Sequence, residues 1–372
     1  MQNDTTLWVG MDVHKDTIAL HWFRGDRDQE GEEVQIPNEE KAIRKVMKRL
    51  KKEGQVRACY EAGPCGYAVR RLLTTLEIHC DVIVPSKIPR KPGDRVKTDR
   101  RDAIKLARYY RTGDLTVIQV PTKEQEAVRA LLRCREDLLE DLHGVRQRLL
   151  KYLNQHGISW RQGNNWTERH WVWLRAQRFE FSAAQRAYDE YIQWVALLTD
   201  RLQALDKEVE LLAEEEPLKS VVARLTCLRG IRTLTALTLV AEIPDFRRFK
   251  SPRELMSFLG LTPSLYSSAN TRREGSITKA GNAHARRVLV EAAWHYRHRP
   301  QLAGSLRARC EGQPDWVRSK AMNAQQRLNY KFRKMLGKGK KKTIAVVGVA
   351  RELAGFIWAL MTEAKDKERV AA

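Results

Sequence analysis

Short apolar runs alternate with amphipathic segments over the first third of the chain, and this alternation constrains its fold more than any other feature. Residues 7–24 predict two strands joined by a turn around His14, and EEVQIPN at 32–38 predicts a third. Helical spacing of apolar side chains follows from Glu39 to Lys52, and then come a strand, a second helix and the strand CDVIVP. This β-β-β-α-β-α-β order predicts an antiparallel meander that continues into parallel strands with crossover helices.

The region after residue 115 predicts two long helices instead. Apolar residues recur every three or four positions from Val128 to Tyr152 and again from Val195 to Leu212. Such seams are typical of helices that pair as a coiled-coil-like arm, either within one chain or between two chains. We therefore predict an α/β domain, a helical coiled-coil arm and a mostly α-helical C-terminal domain, at residues 1–115, 116–216 and 217–372.

The charge of the chain indicates an anionic partner. It carries 68 Lys and Arg residues against 46 Asp and Glu residues, a net charge of +22, which favours nucleic acid. The segment Arg318–Lys342 contains ten basic residues and no acidic one. A run of this kind is usually a solvated face, but in so basic a chain it predicts part of a nucleic-acid footprint.

Several other classes of protein are disfavoured. The six cysteines are scattered, without a CxxC or HExxH pattern, which argues against a zinc site or a disulfide framework. The N-terminus lacks a signal-peptide pattern, and no run approaches the roughly 18 apolar residues of a membrane span. The most apolar segment is interrupted by Arg351 and Glu352, which predicts a buried helix. We expect a cytoplasmic protein that does not bind membranes.

A tryptophan-rich insert lies between the two long helices, at residues 158–179. Four of the ten tryptophans fall there, beside Arg and His residues. Aromatic side chains next to cations can stack on unpaired bases. A compact aromatic plug at the tip of the arm explains the same pattern. A further ambiguity concerns the glycine corner RGIRTLTA at 229–236, which would either present backbone N–H groups to a phosphate or form a plain helical hairpin.

Four carboxylates occupy positions that suggest a metal site. Asp12 lies inside the apolar run LWVGMDV, and Glu61 ends the predicted strand RACYEAG. Asp99 and Asp102 are three residues apart, so on a helix they share a face. Carboxylates brought together repel each other, and Mg²⁺ relieves that repulsion because it prefers oxygen ligands.

Each acid also has an ordinary explanation. Asp99 at a helix start is typical of an N-cap, with Asp102 stabilising the first turn. An ion pair with Lys15 would satisfy Asp12, and capping of the next helix would satisfy Glu61.

Three blocks resemble the acidic motifs of the DEDD transposases, which are recombinases of bacterial insertion sequences. These blocks are GMDVHKDT at 10–17, CYEAGPCGY at 59–67 and KTDRRDAIKLARYY at 97–110. The segment FLGLTPSLYSSANTRREGSITKAGN at 258–282 is similar to the C-terminal transposase domain of that family. The resemblance covers essentially the whole chain.

The resemblance implies a fold and a set of catalytic residues. The N-terminal domain would be RNase H-like, of the RuvC type, and would bind Mg²⁺, or Mn²⁺ in its place, through Asp12, Glu61, Asp99 and Asp102. Ser268 would be the catalytic nucleophile, with Ser267 beside it as the alternative. The implied reaction is serine attack on a DNA phosphodiester, giving a phosphoserine intermediate, followed by strand exchange.

The resemblance also implies partners. They are DNA at the element's ends and at the target, and a noncoding bridge RNA that pairs with both. A homo-oligomer, dimer or tetramer, would share its active sites between protomers and associate with the nucleoid when bound to DNA. Two alternatives are a RuvC-like nuclease that cleaves branched DNA without a covalent intermediate, and a nucleic-acid-binding scaffold without catalysis. The presence of all four acids and the serine argues against the scaffold.

Overall fold

The computed structural model describes residues 5–25, 31–89, 98–268 and 271–371, apart from the side chains of 267–268, 271–272, 274 and 364–371. Contacts divide the chain into two compact units, Met1–Pro121 and Thr122–Ala372. The domain boundaries proposed at 115 and 216 stay predictions.

The first unit is built on a mixed sheet. Its strand order is β3-β2-β1-β4-β5-β6; β1, β2 and β3 are antiparallel, whereas β1, β4 and β5 are parallel. The predicted β-β-β-α-β-α-β order is therefore confirmed. The elements are β1 (Thr6–Val13), β2 (Thr17–Arg24), β3 (Glu32–Pro37), α1 (Glu40–Glu53), β4 (Gln55–Glu61), α2 (Ala68–Thr75), β5 (His79–Ile83), α3 (Asp99–Arg111) and β6 (Val117–Ile118).

The two faces of this sheet bury different helices. Apolar residues of α1 and α2, such as Met47 and Leu73, pack on one face. On the other face, α3 buries Leu106 and Tyr110 against Cys59 and neighbouring side chains. Because side chains alternate along a strand, every second residue of β1 and β4 points toward α3.

The second unit is mostly helical, as predicted. Its core is lined by α7, α8, α10, α12 and α13. The elements are α4 (Lys123–Gln155), α5 (Glu168–Ala176), α6 (Ser182–Leu212), α7 (Leu218–Leu225), α8 (Thr233–Glu242), α9 (Pro252–Phe258), β7 (Pro263–Ser268), β8 (Thr271–Ile277), α10 (Ala283–Ala293), α11 (Gly304–Cys310), α12 (Asp315–Gly337) and α13 (Lys342–Ala371).

The two long helices, α4 and α6, pair within one chain. Leu142 and Leu149 of α4 are buried with Val195 and Leu198 of α6 in a shared cluster. Arg135 Nε donates to an Asp206 carboxylate oxygen at 2.6 Å, so the polar member of the α4 seam is an ion pair. The sequence left open whether the pairing lies within or between chains, and the structure shows contacts within the chain.

Helix α13 is the apolar segment interrupted by Arg351 and Glu352. Over Lys342–Glu363 it has the length and apolar composition of a membrane span. One face is nevertheless buried in the core of the unit, including Val346, Leu353 and other fully enclosed side chains. Glu352 pairs with Lys331 of α12 at 2.9 Å. These contacts agree with the prediction of a buried helix.

The polar segment after α9 forms a hairpin, which the sequence did not predict. Strands β7 and β8 are antiparallel and form a two-stranded sheet. Tyr266 is 72% exposed, so the hairpin buries little apolar surface. Periodicity could not predict it because this segment lacks the apolar alternation of a half-buried strand.

Candidate active site

Asp12 lies near the C-terminal end of β1, on the face of the sheet that α3 covers. It is two residues beyond Gly10, which contacts α3, and its side chain is only 19% exposed. Burial raises the pKa of Asp12, and the carboxylates of Asp99 and Asp102 raise it further, while His14 opposes the shift. Asp12 is thus a half-buried carboxylate that lies in the electrostatic field of the Asp99 and Asp102 carboxylates.

His14 stands between the two aspartates. Its Nε2 lies 3.2 Å from Asp12 Oδ2 and 3.5 Å from Asp99 Oδ1. One ligand atom from each of these three residues lies within 4.8 Å of the others, a spacing that fits a shared cation. The ordinary explanation of Asp12 as a partner of Lys15 is replaced by its contact with His14.

His14 belongs to this group, although the sequence did not predict it as a site residue. The sequence predicted only a turn around His14, and the structure confirms that turn: Asn38 Nδ2 donates to the His14 carbonyl at 2.7 Å, and the His14 N–H donates to the Thr17 carbonyl at 2.9 Å. The available signal was its position two residues after Asp12. That spacing places both side chains on one face only if the extended conformation continues past the end of the strand.

Helix α3 begins at Asp99, and Thr98 is its N-cap. The Thr98 hydroxyl accepts the N–H of Arg101 at 3.3 Å. The suggestion that Asp99 caps the helix is therefore wrong, because the residue before it has the extended backbone and the capping oxygen. Asp99 and Asp102 both lie in the first turn, where the helix dipole favours carboxylates.

Gly10 allows α3 to approach the sheet. A Cβ at Gly10 would lie 2.2 Å from the carbonyl oxygen of Ala103 and 2.3 Å from the nitrogen of Ala107. The helix backbone therefore rests directly on β1. Because Gly10 is two residues before Asp12 and Ala103 is four residues after Asp99, this contact brings the two acids together.

Glu61 is the last residue of β4, next to Asp12 across parallel strands. The register pairs Met11 with Tyr60, so Glu61 follows the last pair on the same side as Asp12. Its side chain is exposed and points to the α3 face, since Cys59 does so. Glu61 does not cap the following helix, because the N-cap of α2 is Tyr67. It lies beside the Asp12–His14–Asp99 group but is not part of it.

Ser267 and Ser268 lie at the end of β7, where their backbones pair with Arg272 and Thr271. The side chains of both serines, and all of residues 269–270, lie outside the described part of the structure. The backbone places the serines at the tip of the exposed hairpin. Their assignment as nucleophile candidates stays a prediction.

The tryptophan-rich insert packs on the helical arm. His170 is fully buried and stacks on Trp173 with ring centroids 5.6 Å apart. The Arg146 guanidinium lies 4.7 Å from the ring centroid of Trp166, and Trp171 packs against the same cluster. These contacts support the aromatic-plug alternative, because the rings already contact each other.

The basic segment Arg318–Lys342, most of which lies in α12, is partly neutralised. Four of its ten cations are paired with acids: Arg318 with Asp315, Lys320 with Glu363, and Arg327 and Lys331 with Glu352. Its role as a nucleic-acid footprint is not tested by these contacts.

Comparisons with known proteins agree with the acidic blocks. A DEDD transposase model of the IS110 group matches residues 9–158, and a model described as the transposase IS116/IS110/IS902 family matches residues 222–306. The chain is 40% identical over 367 residues to the protein named transposase y4qE in Sinorhizobium fredii, across 96% of this chain and 89% of that protein. It is 36% identical over 339 residues to the transposase for insertion sequence element IS1533 of Leptospira borgpetersenii, across 90% and 98% of the two chains.

Proposed function

Because this chain belongs to the IS116/IS110/IS902 family of insertion-sequence transposases, we propose that it cleaves and exchanges DNA strands through a covalent phosphoserine intermediate. The carboxylates of Asp12, Glu61, Asp99 and Asp102 would hold Mg²⁺, or Mn²⁺ in its place. Ser268 supplies the nucleophile.

The convergence of Asp12, His14 and Asp99 carries this proposal. Their ligand atoms share a space less than 4.8 Å across, and the pKa of Asp12 is raised by burial and by the carboxylates of Asp99 and Asp102. Such a donor set fits a divalent cation, which would neutralise the mutual repulsion. When bound, the ion would supply charge stabilisation on the phosphate oxygens.

The order of the strands supports an RNase H-like, RuvC-type assignment for the first unit. Three antiparallel strands lead into two parallel strands, with the acids on the first strand, the fourth strand and the helix α3 that packs across them. The proposal places the chemistry at one end of this sheet, where Asp12 and Glu61 are adjacent.

The chemical step requires three events at the scissile phosphate. The Ser268 Oγ forms a bond to phosphorus, the phosphodiester P–O bond breaks, and the leaving sugar oxygen takes up a proton. The serine proton must be accepted as the attack proceeds, since a neutral hydroxyl is a poor nucleophile. A different sugar hydroxyl then attacks the phosphorus of the phosphoserine. This second step forms the exchanged strand and releases Ser268, whose Oγ takes up a proton.

The remaining proposals concern partners. We infer a homo-oligomer, dimer or tetramer, in which the serine of one protomer serves the carboxylates of another. A bridge RNA would select the DNA by base pairing, so that the protein contacts backbone and shape. The net charge of +22 supports binding to polyanions of either kind.

One experiment separates this proposal from a RuvC-like nuclease. The protein is incubated with Mg²⁺, RNA transcribed from the element and DNA carrying the element's ends, and covalent protein–DNA species are resolved under denaturing conditions. We expect an adduct that Ser268→Ala abolishes and that the matched variant Ser267→Ala retains. Free cleaved ends that persist in Ser268→Ala would instead establish a nuclease.

A further inference from the structure

Five exposed cationic or imidazole side chains surround the junction between α8 and the end of α10. Arg232 is the residue before α8, and the other four form or follow the 3₁₀ turn Trp294–Arg297. We call this group the basic corner; its members are Arg232, His295, Arg297, His298 and Arg299.

The basic corner has a net positive charge. Partial burial lowers the pKa of His295, and electrostatic interactions with His298, Arg232, Arg297 and Arg229 lower it further. The carboxylate one turn earlier, Glu291, is paired with Arg287 at 3.0 Å. A positive potential is therefore concentrated at His295, as an anion site requires.

The polar side chains of Arg229, which is partly buried, and Asn329, which is buried, hold the backbone of this segment. Arg229 donates to the carbonyls of Arg299 at 2.8 Å and Gln301 at 2.9 Å. Asn329, only 5% exposed, donates to the carbonyls of Tyr296 at 2.9 Å and His298 at 2.8 Å. The cations are thus carried on a backbone that is ordered before any ligand binds, which lowers the entropy cost of binding.

Gly230 brings the two parts of the basic corner together. It has a φ of +83°, and a Cβ there would lie 2.3 Å from the carbonyl oxygen of Ala292. The corner before α8 therefore rests on the end of α10, next to the 3₁₀ turn. The side chain of Arg232 does not cap α8, so the first N–H groups of the helix are not neutralised by it. These N–H groups form the positive end of the helix dipole, which adds to the positive potential of the basic corner.

We propose that the basic corner binds the phosphodiester backbone of duplex DNA. This inference rests on the proposed function, which makes DNA the substrate. The basic corner would be one surface of the protein that contacts the DNA. Guanidinium groups match phosphate oxygens in geometry and charge. Arg232, Arg297 and Arg299 form no salt bridge with an acid in the part of the chain that the structure describes, so they can exchange counterions for phosphates. Such a contact is independent of base sequence, since phosphates carry no sequence information.

The test measures the salt dependence of binding by the full-length protein. Fluorescence anisotropy with a duplex of unrelated sequence gives log K against log salt concentration for the wild type and for Arg232→Ala/Arg297→Ala. Each phosphate contact contributes about 0.9 to the slope, so the double variant is expected to lose about 1.8. The charge-preserving variant Arg232→Lys/Arg297→Lys is expected to retain the wild-type slope.

A matched control removes two cations elsewhere in the same unit. Lys219 and Arg307 are exposed and each lies near an acid, Glu214 at 3.1 Å and Glu311 at 4.0 Å. Lys219→Ala/Arg307→Ala is expected to leave the slope near the wild-type value. A slope for Arg232→Ala/Arg297→Ala equal to that of this control would overturn the proposal.

Two further outcomes are informative. The double alanine variant could lose slope in the plot of log K against log salt concentration only with single-stranded RNA and not with duplex DNA. This result would also overturn the proposal, because the surface would then bind RNA. Failure of the phosphoserine chemistry appears separately, as a missing adduct with the wild-type protein, and does not alter the comparison of binding slopes.

Discussion

The carbonyl oxygen of Ala103 lies 2.2 Å from the position that a Cβ would occupy on Gly10. A strand residue without a side chain is thus the contact point between β1 and the helix that carries two of the candidate metal ligands. The distance from Asp99 to Asp12 depends on this contact, because both acids lie within a few residues of it.

Gly10→Ala is expected to displace α3 and destabilise the first unit. The added methyl group meets backbone atoms, which cannot rotate away, so we expect a loss of about 1–3 kcal/mol in the free energy of unfolding. Urea denaturation measures the loss. Gly144→Ala in α4 is the control: its nearest contact is the tip of Arg148 at 4.0 Å, and alanine is the better helix former. Equal stability of the two variants would contradict the close contact.

Asp12→Asn is expected to stabilise the protein without divalent cations and to remove its response to them. The raised pKa of Asp12 means that its ionised form is disfavoured in the folded state, so its ionisation lowers stability as pH rises through that pKa. At neutral pH the amide should gain about 1 kcal/mol, as at other sites where function costs stability.

The measurement is the melting temperature at neutral pH, with EDTA and with Mg²⁺. Wild-type protein should melt higher in Mg²⁺, because a ligand that binds only the folded state stabilises it. Asp12→Asn should melt at the same temperature in both. Asp16→Asn, at an exposed position in the same turn, is the control and should respond to Mg²⁺ as wild type does.

Mixing two inactive variants tests whether the active site is shared between protomers. Asp102→Ala and Ser268→Ala should each fail to form the covalent adduct alone. Random mixing into dimers makes half of them mixed, with one complete site of two, so about a quarter of the wild-type adduct should return. The yield is read after coexpression with two distinguishable tags. Sites contained within one chain would give no adduct in the mixture.

Glu242 is expected to stabilise the second unit in a pH-dependent way. It is buried, and it accepts hydrogen bonds from Arg133 Nε at 2.9 Å and Asn282 Nδ2 at 2.6 Å. Burial alone would raise the pKa of Glu242, but these two partners and Arg129 outweigh it and hold the pKa below the usual 4.5. Glu242→Gln should therefore cost about 3 kcal/mol at pH 7, because it removes the buried charge that balances two partly buried guanidinium groups.

The sign of the pH dependence follows from the lowered pKa. The contribution of Glu242 is present above pH 4.5, the pKa of an unperturbed glutamate, and is lost as pH falls through the lower folded-state value. Wild type and Glu242→Gln should therefore converge in acid. Glu291→Gln removes an exposed ion pair and should change stability by less than about 1 kcal/mol at pH 7. A Glu242→Gln effect as small as this would refute the role of burial.

Local patterns predicted the elements that hold the candidate site. Alternation and helical spacing identified β1, β4 and α3, and Asp12, Glu61 and the Asp99–Asp102 pair lie on them where expected. The acidic blocks also predicted the family, which the comparisons confirm. These features could be predicted because hydrophobic periodicity and short motifs depend only on residues that are close together in the sequence.

Side-chain convergence needed the folded chain. The choice of Thr98 rather than Asp99 as the cap of α3 is local and depends on the backbone conformation at the helix start. The contact of His14 with Asp99 and the position of Arg232 near the turn after α10 depend on backbone approaches between segments far apart in the sequence. Gly10 and Gly230 permit two of these approaches. A sequence shows that a glycine is present, but only the tertiary structure shows which backbone it admits.

Local sequence patterns were enough to predict the family, the mixed sheet, the helical second half and the acids that could share a cation. The folded structure showed in addition that α4 and α6 pack on each other within one chain, that His14 completes the acidic group, and that the cations of the basic corner form no salt bridge with an acid among the described residues. The physical reason is that propensity and periodicity act along the chain, whereas electrostatic fields and close packing act through space.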